Sequence, residues 1–542
     1  MRPAVIPIRV VTTTMGLTHV EGRVSLIARG EIGCRTSDPL RGSHPKNFAS
    51  EQFADRMKRW RIPVFTSQER GRVGRRPPWG SHLCIAFAVL GGCTHYQAAP
   101  LDTQVSAQQF SERRLDEPGL RESIARLMPQ SAAAWPPREW DRGDLLAVAL
   151  VRSPAIAVAN AQTRVALAHE TTAAQLPDPD ITLQSEYARH DPYPWLYGVA
   201  LNWLLRSPAR RRLETNIAQL DTHNARLALM DEAWTVRHGL IAALSEWEGA
   251  RRRSKLLDRL SASQERFVEH ERRRVAAGED GPVELLVAEH ALIEIEQQRA
   301  ELNTEIEAAQ SAVAKAVGVP LQALDGLPFV WQNWGAPPPL DESRLREMRE
   351  QALRSRSDLA MAVTDYSAAE AKLQLAVARQ YPQYEINPGF YWDHGIAKFP
   401  FDLSFSLPFN RNRGEIAEAR AGRDLAGQRM LAIQADIYAE VAGAERAEAV
   451  ARASMDAAER LSASARRQLR QSDLALRLGA SDSLEHLGAD IFAARAEIEL
   501  VQMQARLQTS RNSLEDALHA PLSGPELKLS MAGPAAPAGA GS

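Results

Sequence analysis

The sequence predicts a mainly α chain with a membrane β-barrel contribution, built from a duplicated unit of long coiled-coil helices plus two strands. Three observations predict it. The chain repeats internally at a nearly constant offset, each copy holds a helical stretch far longer than a globular core needs, and each copy carries two strand-like runs at matched positions.

The repeat is read directly from the residues. Asp258-Arg259-Leu260-Ser261-Ala262-Ser263 recurs as Glu459-Arg460-Leu461-Ser462-Ala463-Ser464, a shift of 201 positions. The same shift carries Arg212 to Arg413, Glu214 to Glu415, Ala218 to Ala419, Gly278 to Gly479, Ala288 to Ala489 and Pro320 to Pro521. Upstream the offset drifts to 203 for Ala149-Leu150 against Ala352-Leu353 and to 205 for Pro177 against Pro382, as small insertions near loops would cause.

In the first copy a helical pattern over residues 145–173 stops at Pro177-Asp178-Pro179. Alternation around Ile181, Leu183 and Ser185 predicts one strand, and residues 196–205 a second. The second copy offers residues 384–393 and 399–407, separated by Asp393-His394-Gly395. These runs are about ten residues each, the length of a tilted strand crossing a bilayer. Residues 209–277 contain no proline, and Val236, Leu240, Ala243, Leu244 and Trp247 keep the helical period. At ~1.5 Å per residue this rod is about 100 Å long. After Gly278-Glu279-Asp280-Gly281-Pro282 the return helix ends near Gly318, too short to accompany the whole rod. The helix over 145–173 has about the missing length, so the two shorter helices are expected to stack end to end beside the long one.

Four strands cannot close a barrel, and lipid leaves no water for unpaired backbone groups. The chain is therefore expected to pool strands with copies of itself. Three copies would give a trimeric α-barrel and a shared β-barrel of about 12 strands.

The balance of 65 basic against 67 acidic residues, a net charge of −2, argues against nucleic acid as a partner. No phosphate loop, His-Glu-x-x-His helix or nucleophile elbow is present, so no enzyme and no cofactor is expected. His190, His394 and His486 lack a second ligand at metal spacing, and no metal site is expected. Arg210-Arg211-Arg212, Arg251-Arg252-Arg253 and Arg272-Arg273-Arg274 each have acids within helical reach and are read as solvated helix faces.

Of the cysteines, Cys34, Cys84 and Cys93, none lies downstream of Cys93. Basic Arg75-Arg76, an apolar stretch over 83–90, Leu90-Gly91-Gly92-Cys93 and polar Thr94-His95 form a signal peptide ending in a lipoprotein-like box. The alternative is an ordinary signal-peptidase site. Because secretory signals lie near the start of a chain, an internal start such as Met57, followed by Lys58, Arg59 and Arg61, is expected. The organisation is then an extension over 1–74, a signal over 75–92 and an N-terminal tether over 93–140. The first repeat follows over 141–324, a linker over 325–343, the second repeat over 344–525 and a disordered tail over 526–542.

In this order, the duplicated strand-strand-long-helix unit, Leu407-Pro408-Phe409, Arg356-Ser357-Asp358-Leu359 and the reversal over 479–489 resemble the TolC-type outer-membrane factor family, in its lipoprotein subgroup. The resemblance spans residues 145–521, with Ser357 where the family usually has proline. It implies a homotrimeric outer-membrane duct that serves a tripartite efflux pump or a type I secretion system. It further implies that the helix tips, marked here by Gly278 and Gly479, dock on a periplasmic adaptor (a membrane fusion protein), and that an inner-membrane pump delivers the cargo. The family's acidic tip rings place Glu485 as the gate residue, with Asp482 and Glu284 as weaker candidates; Gly488 stands where a second acid would be. The rival reading is a lipid-anchored periplasmic coiled-coil scaffold or adaptor, which would not need four bilayer-length runs.

The signal sequence generates the first prediction. Mass spectrometry of the mature N-terminus should find Cys93 carrying diacylglycerol and an N-acyl chain; a free amine on any other residue would contradict it.

Overall fold

The computed structural model describes residues 96–127 and 135–526. Cys34, Cys84 and Cys93, the extension, the signal and the tail beyond Glu526 lie outside the described residues.

Two short helices come first, α1 (Thr103–Ser111) and α2 (Pro118–Leu127). The first copy follows as α3 (Arg142–Arg152), α4 (Pro154–Ala174), β1 (Asp180–Tyr187), β2 (Trp195–Leu205), α5 (Pro208–Ala277) and α6 (Pro282–Val317). The second copy holds α7 (Glu342–Ser355), α8 (Ser357–Ala378), β3 (Tyr384–Asp393), β4 (Ile396–Lys398), β5 (Phe401–Phe405), α9 (Arg413–Arg477) and α10 (Ser483–Leu518).

The two long helices are sustained by Ala, Leu, Glu and Arg and by ladders such as Arg252–Glu248 at 2.7 Å and Arg477–Asp473 at 2.8 Å, each four residues apart. With 70 residues, α5 is about 105 Å long. Beside it α4 covers one half and α6 the other, and α8 and α10 divide α9 in the same way. The helices therefore lie side by side in the order α9-α8-α5-α4 toward the strands and α9-α10-α5-α6 toward the reversals. This is the end-to-end stacking that helix lengths predict.

Where the halves meet is a waist. Its core gathers Leu240, Leu244, Trp247, Val313, Val317, Phe329, Trp331 and Trp334. Trp334 is fully buried: its Nε1–H donates to Ser245 Oγ at 3.3 Å, its ring lies under the Arg252 guanidinium, and its carbonyl accepts from Gln508. Residues 325–343 thus feed aromatic side chains into the core as well as joining the copies. Glu526, placed by sequence at the head of the tail, is also buried, 3.0 Å from Arg142.

Three expectations are corrected. The helix expected over 145–173 is two helices, bent by 44° at Ser153-Pro154, because Pro154 has no N–H to continue the ladder and fits best at a helix start. The last strand, expected over 399–407, instead begins at Ile396, is interrupted at Phe399-Pro400 and ends at Phe405, as β4 and β5. Between them the Pro400 carbonyl accepts from Gly389 N–H at 2.9 Å, while proline itself can donate nothing. Arg210 is not a solvated charge: it is buried and donates to the carbonyls of Ala378, at 3.1 Å, and Tyr381, closing the C-terminal end of α8. Arg251 and Arg252 keep the expected acid within helical reach, Glu248 at 3.6 and 2.7 Å, and in addition lie over the rings of Trp247 and Trp334.

Trp334→Ala should therefore cost about 3–5 kcal/mol of folding stability, through the cavity and the stranded Ser245 and Arg252 groups. Denaturant unfolding followed by circular dichroism measures it, and a loss within experimental error would show that the waist core is not organised by this ring.

Candidate functional site

Two places in the chain can carry function, one at each end of the helices: the strand sheet and the helix reversals.

The sheet is antiparallel in the order β1-β2-β3, with β4 and β5 both against β3. Its register sorts residues by face. Leu183 pairs with Val199, Val199 with Phe390, Trp203 with Ile386 and Ile386 with Leu403, all on one side. Asp180 pairs with Asn202 and Thr182 with Ala200 on the other, and Asn202 donates to Thr182 Oγ1 at 2.8 Å. One face is apolar and aromatic, the other polar, as a barrel wall between lipid and water requires. At the far end the β1–β2 and β3–β4 turns join, where His394 Nδ1 lies 2.7 Å from the Tyr193 carbonyl. Among the described strands, β1 on one side and β4 with β5 on the other keep bare edges.

At the opposite end the long helices reverse. Gly278 and Gly479 take left-handed backbone angles, φ +76° and +68°, which glycine adopts without the strain a Cβ adds. The amides that follow close back on the helices: Glu279 N–H donates to the Arg274 carbonyl at 2.9 Å and Ala480 N–H to that of Ala475 at 2.8 Å. The two reversals expected at these glycines are present.

Asp482 caps α10, its carboxylate accepting from Glu485 N–H at 2.8 Å. Glu485 is exposed, and its carboxylate folds back to accept from Ser481 Oγ at 2.6 Å. Glu284 sits similarly over Gly281, where an added Cβ would meet its Oε2 at 2.9 Å. Both acids lie in the first turn of their return helices, where the positive end of the helix dipole favours them. The structure brings Asp482 and Glu485 together and leaves Glu284 on the other reversal.

Sequence reasoning missed Arg274, which it grouped with a solvated face. Arg274 holds Asp280 across its own reversal at 2.5 Å and reaches Asp482 of the second reversal at 3.9 Å. Its neighbour Glu271 is buried, and burial followed by the adjacent Asp280 carboxylate pushes the Glu271 carboxyl above the usual range. A signal existed: the position matching Arg274 in the second copy is Ala475, and a departure from the repeat marks a residue one copy needs and the other does not.

Residues 348–519 match the family model described as outer membrane efflux protein. The second repeat is thus similar to outer membrane efflux proteins over nearly its whole length. No curated protein sequence matches it. Among solved structures, the outer-membrane channel OprN is 19% identical, with 78% of this chain and 98% of that one covered and a TM-score of 0.57. The outer membrane protein VceC from Vibrio cholerae is 16% identical, with 70% and 97% covered and a TM-score of 0.56. The CmeC outer membrane channel of Campylobacter jejuni is 14% identical, with 70% and 85% covered and a TM-score of 0.58. At these identities the likeness establishes the fold: a body of paired long helices with a strand sheet at one end.

For a pore built from this chain, the reading proposed below, the reversal acids generate a prediction. Glu485→Gln should lower the cation preference of the channel severalfold in planar-bilayer recordings and leave assembly intact, because Asp482 still caps α10. Glu284→Gln should do less. Unchanged selectivity would leave Glu485 as a helix-capping charge alone.

Proposed function

We propose that this chain is the outer-membrane exit duct of a tripartite efflux pump or type I secretion system, a passive channel formed by three copies. The observation that carries the reading is the sheet: two-faced, bilayer-length and bare at both edges, at one end of helices about 100 Å long. In lipid an open edge strands backbone N–H and C=O groups, so the sheet is complete only when other copies close it. Three copies supply about twelve strands for the barrel and twelve helices across each half of the duct. The reversals at Gly278 and Gly479 form its periplasmic end and dock on an adaptor, through which an inner-membrane pump delivers cargo. Glu485 and Asp482 on one reversal, with Glu284 on the other, line that end as the cation-attracting gate. On this reading residues 75–92 are removed as a signal, Cys93 is lipidated in the outer membrane, and residues 93–140 tether the anchor to the body.

Reconstitution tests the duct. The purified protein should insert into planar bilayers as a trimer with stepwise conductance, and deletion of residues 180–205 should abolish conductance while the helical circular dichroism remains. A wild-type chain that stays monomeric and carries no current would instead support the scaffold reading.

A further inference from the structure

We infer that the seam between copies of this chain repeats, residue for residue, the seam between α5 and α10 inside it, so that Arg460 and Arg467 of one copy meet Glu289 and Glu296 of the next. The inference rests on the reading that the chain works as a homo-oligomer, and it names the contacts that hold the copies together.

Near the reversals the helices lie in the order α9-α10-α5-α6. The pair α5 with α6 and the pair α9 with α10 are the two repeats, and the α5–α10 seam joins them. The same step taken once more carries α5 onto α9 and α10 onto the α6 of another copy. Both members of that second seam are outer edges within one chain, so only another copy can complete it.

The internal seam is polar and specific. Asp490 accepts from Arg259 and from Ser263 Oγ, each at 2.5 Å, and lies 3.7 Å from Arg266; Arg259 also lies 3.4 Å from Glu497. Shifted by 201 positions, these residues become Glu289, Arg460, Ser464, Arg467 and Glu296. Charge and polarity survive at every position, although in one chain the two groups sit on opposite edges. Among the described residues Arg460, Arg467 and Glu296 have no ion-pair or hydrogen-bond partner, and Ser464 is exposed. Glu289 is held only by Arg272, at 3.0 Å, leaving it to be shared as Asp490 is shared.

Burial gives an independent sign. Leu260 is 2% exposed at the internal seam and its mate Leu461 is 45% exposed; Ala494 is 0% exposed and its mate Ile293 is 61% exposed. Positions facing a helix's own partner do not change: Gln264 and Ala465 are both buried, as are Ser261 and Ser462. The repeat thus loses its cover only where another copy would supply it. The opposite charges and the apolar residues fit one occupant, a second copy in the register of the internal seam.

Cysteine pairing and charge exchange test this. Ser464→Cys with Glu289→Cys, oxidised in native membranes, should give a reducible ladder ending at the trimer, with single-cysteine variants setting the background. Ser263→Cys with Asp490→Cys should close within one chain and give no ladder. If the internal pair closes and the other does not, although native gels still show an oligomer, the inferred seam is wrong and the duct reading stands. A monomeric wild type would overturn the duct reading itself. As a second measurement, Arg460→Glu should raise the concentration at which oligomers dissociate about tenfold, and adding Glu296→Arg should restore it. Absence of restoration would overturn the pairing whatever the cysteines show.

Discussion

Two helices of this chain run unbroken while the helices beside them stop at the waist, and everything else depends on how the ends created there are satisfied. A helix end leaves backbone groups without intrahelical partners, and a buried one needs them supplied. Gly318 ends α6 in a left-handed turn so close to α3 that a Cβ would lie 2.5 Å from the Arg152 carbonyl. The Gly318 carbonyl accepts from Arg113 at 2.9 Å. On the other side Arg356 starts α8 and donates to the Ala517 carbonyl at the end of α10 at 2.9 Å, while binding Asp358 and Glu440. Leu522 N–H finds Glu515, whose carboxylate also holds Arg237. The waist is thus both the largest apolar cluster and the place with the most buried charge, each charge paired because a lone one would be costly.

The duplication explains why one solution was used twice and where it was modified. Both copies break the accompanying helix at the waist, the first with Pro154 and the second with Ser357, whose hydroxyl donates to Asp231 at 2.8 Å. Proline ends a helix through missing hydrogen bonding; in the second copy the break falls at Arg356 without one, and Ser357 ties the new helix to α5. At the reversals the copies share glycine geometry and differ in charge, since Arg274 has no counterpart in the second copy and reaches from one reversal to the other. Difference between repeats therefore marks the places where a chain with two equal halves is made unequal.

The sheet shows how one continuous apolar face is assembled from register alone. Because side chains alternate along a strand, antiparallel pairing of Val199 with both Leu183 and Phe390 fixes the apolar side of several strands at once. A shift of one residue would turn aspartate and asparagine toward the apolar side. The joined turns at the far end, tied through His394 and Tyr193, hold the two strand pairs of the chain in that register.

By itself the sequence determined the duplication, the lengths of the long helices and their returns, the reversals at Gly278 and Gly479, and the two-faced strands. These are local properties: helical period, alternation and left-handed backbone geometry act over a few residues and survive in any surroundings. Only the tertiary structure decided that Arg210 closes a distant helix, that residues 325–343 supply core aromatics, that the last strand divides at Pro400 and that Arg274 spans both reversals. Each depends on which groups far apart in sequence come within hydrogen-bonding distance. An arginine reads the same along the chain whether it faces water, as Arg460 does in one copy, or closes a carbonyl from 168 residues away, as Arg210 does at Ala378.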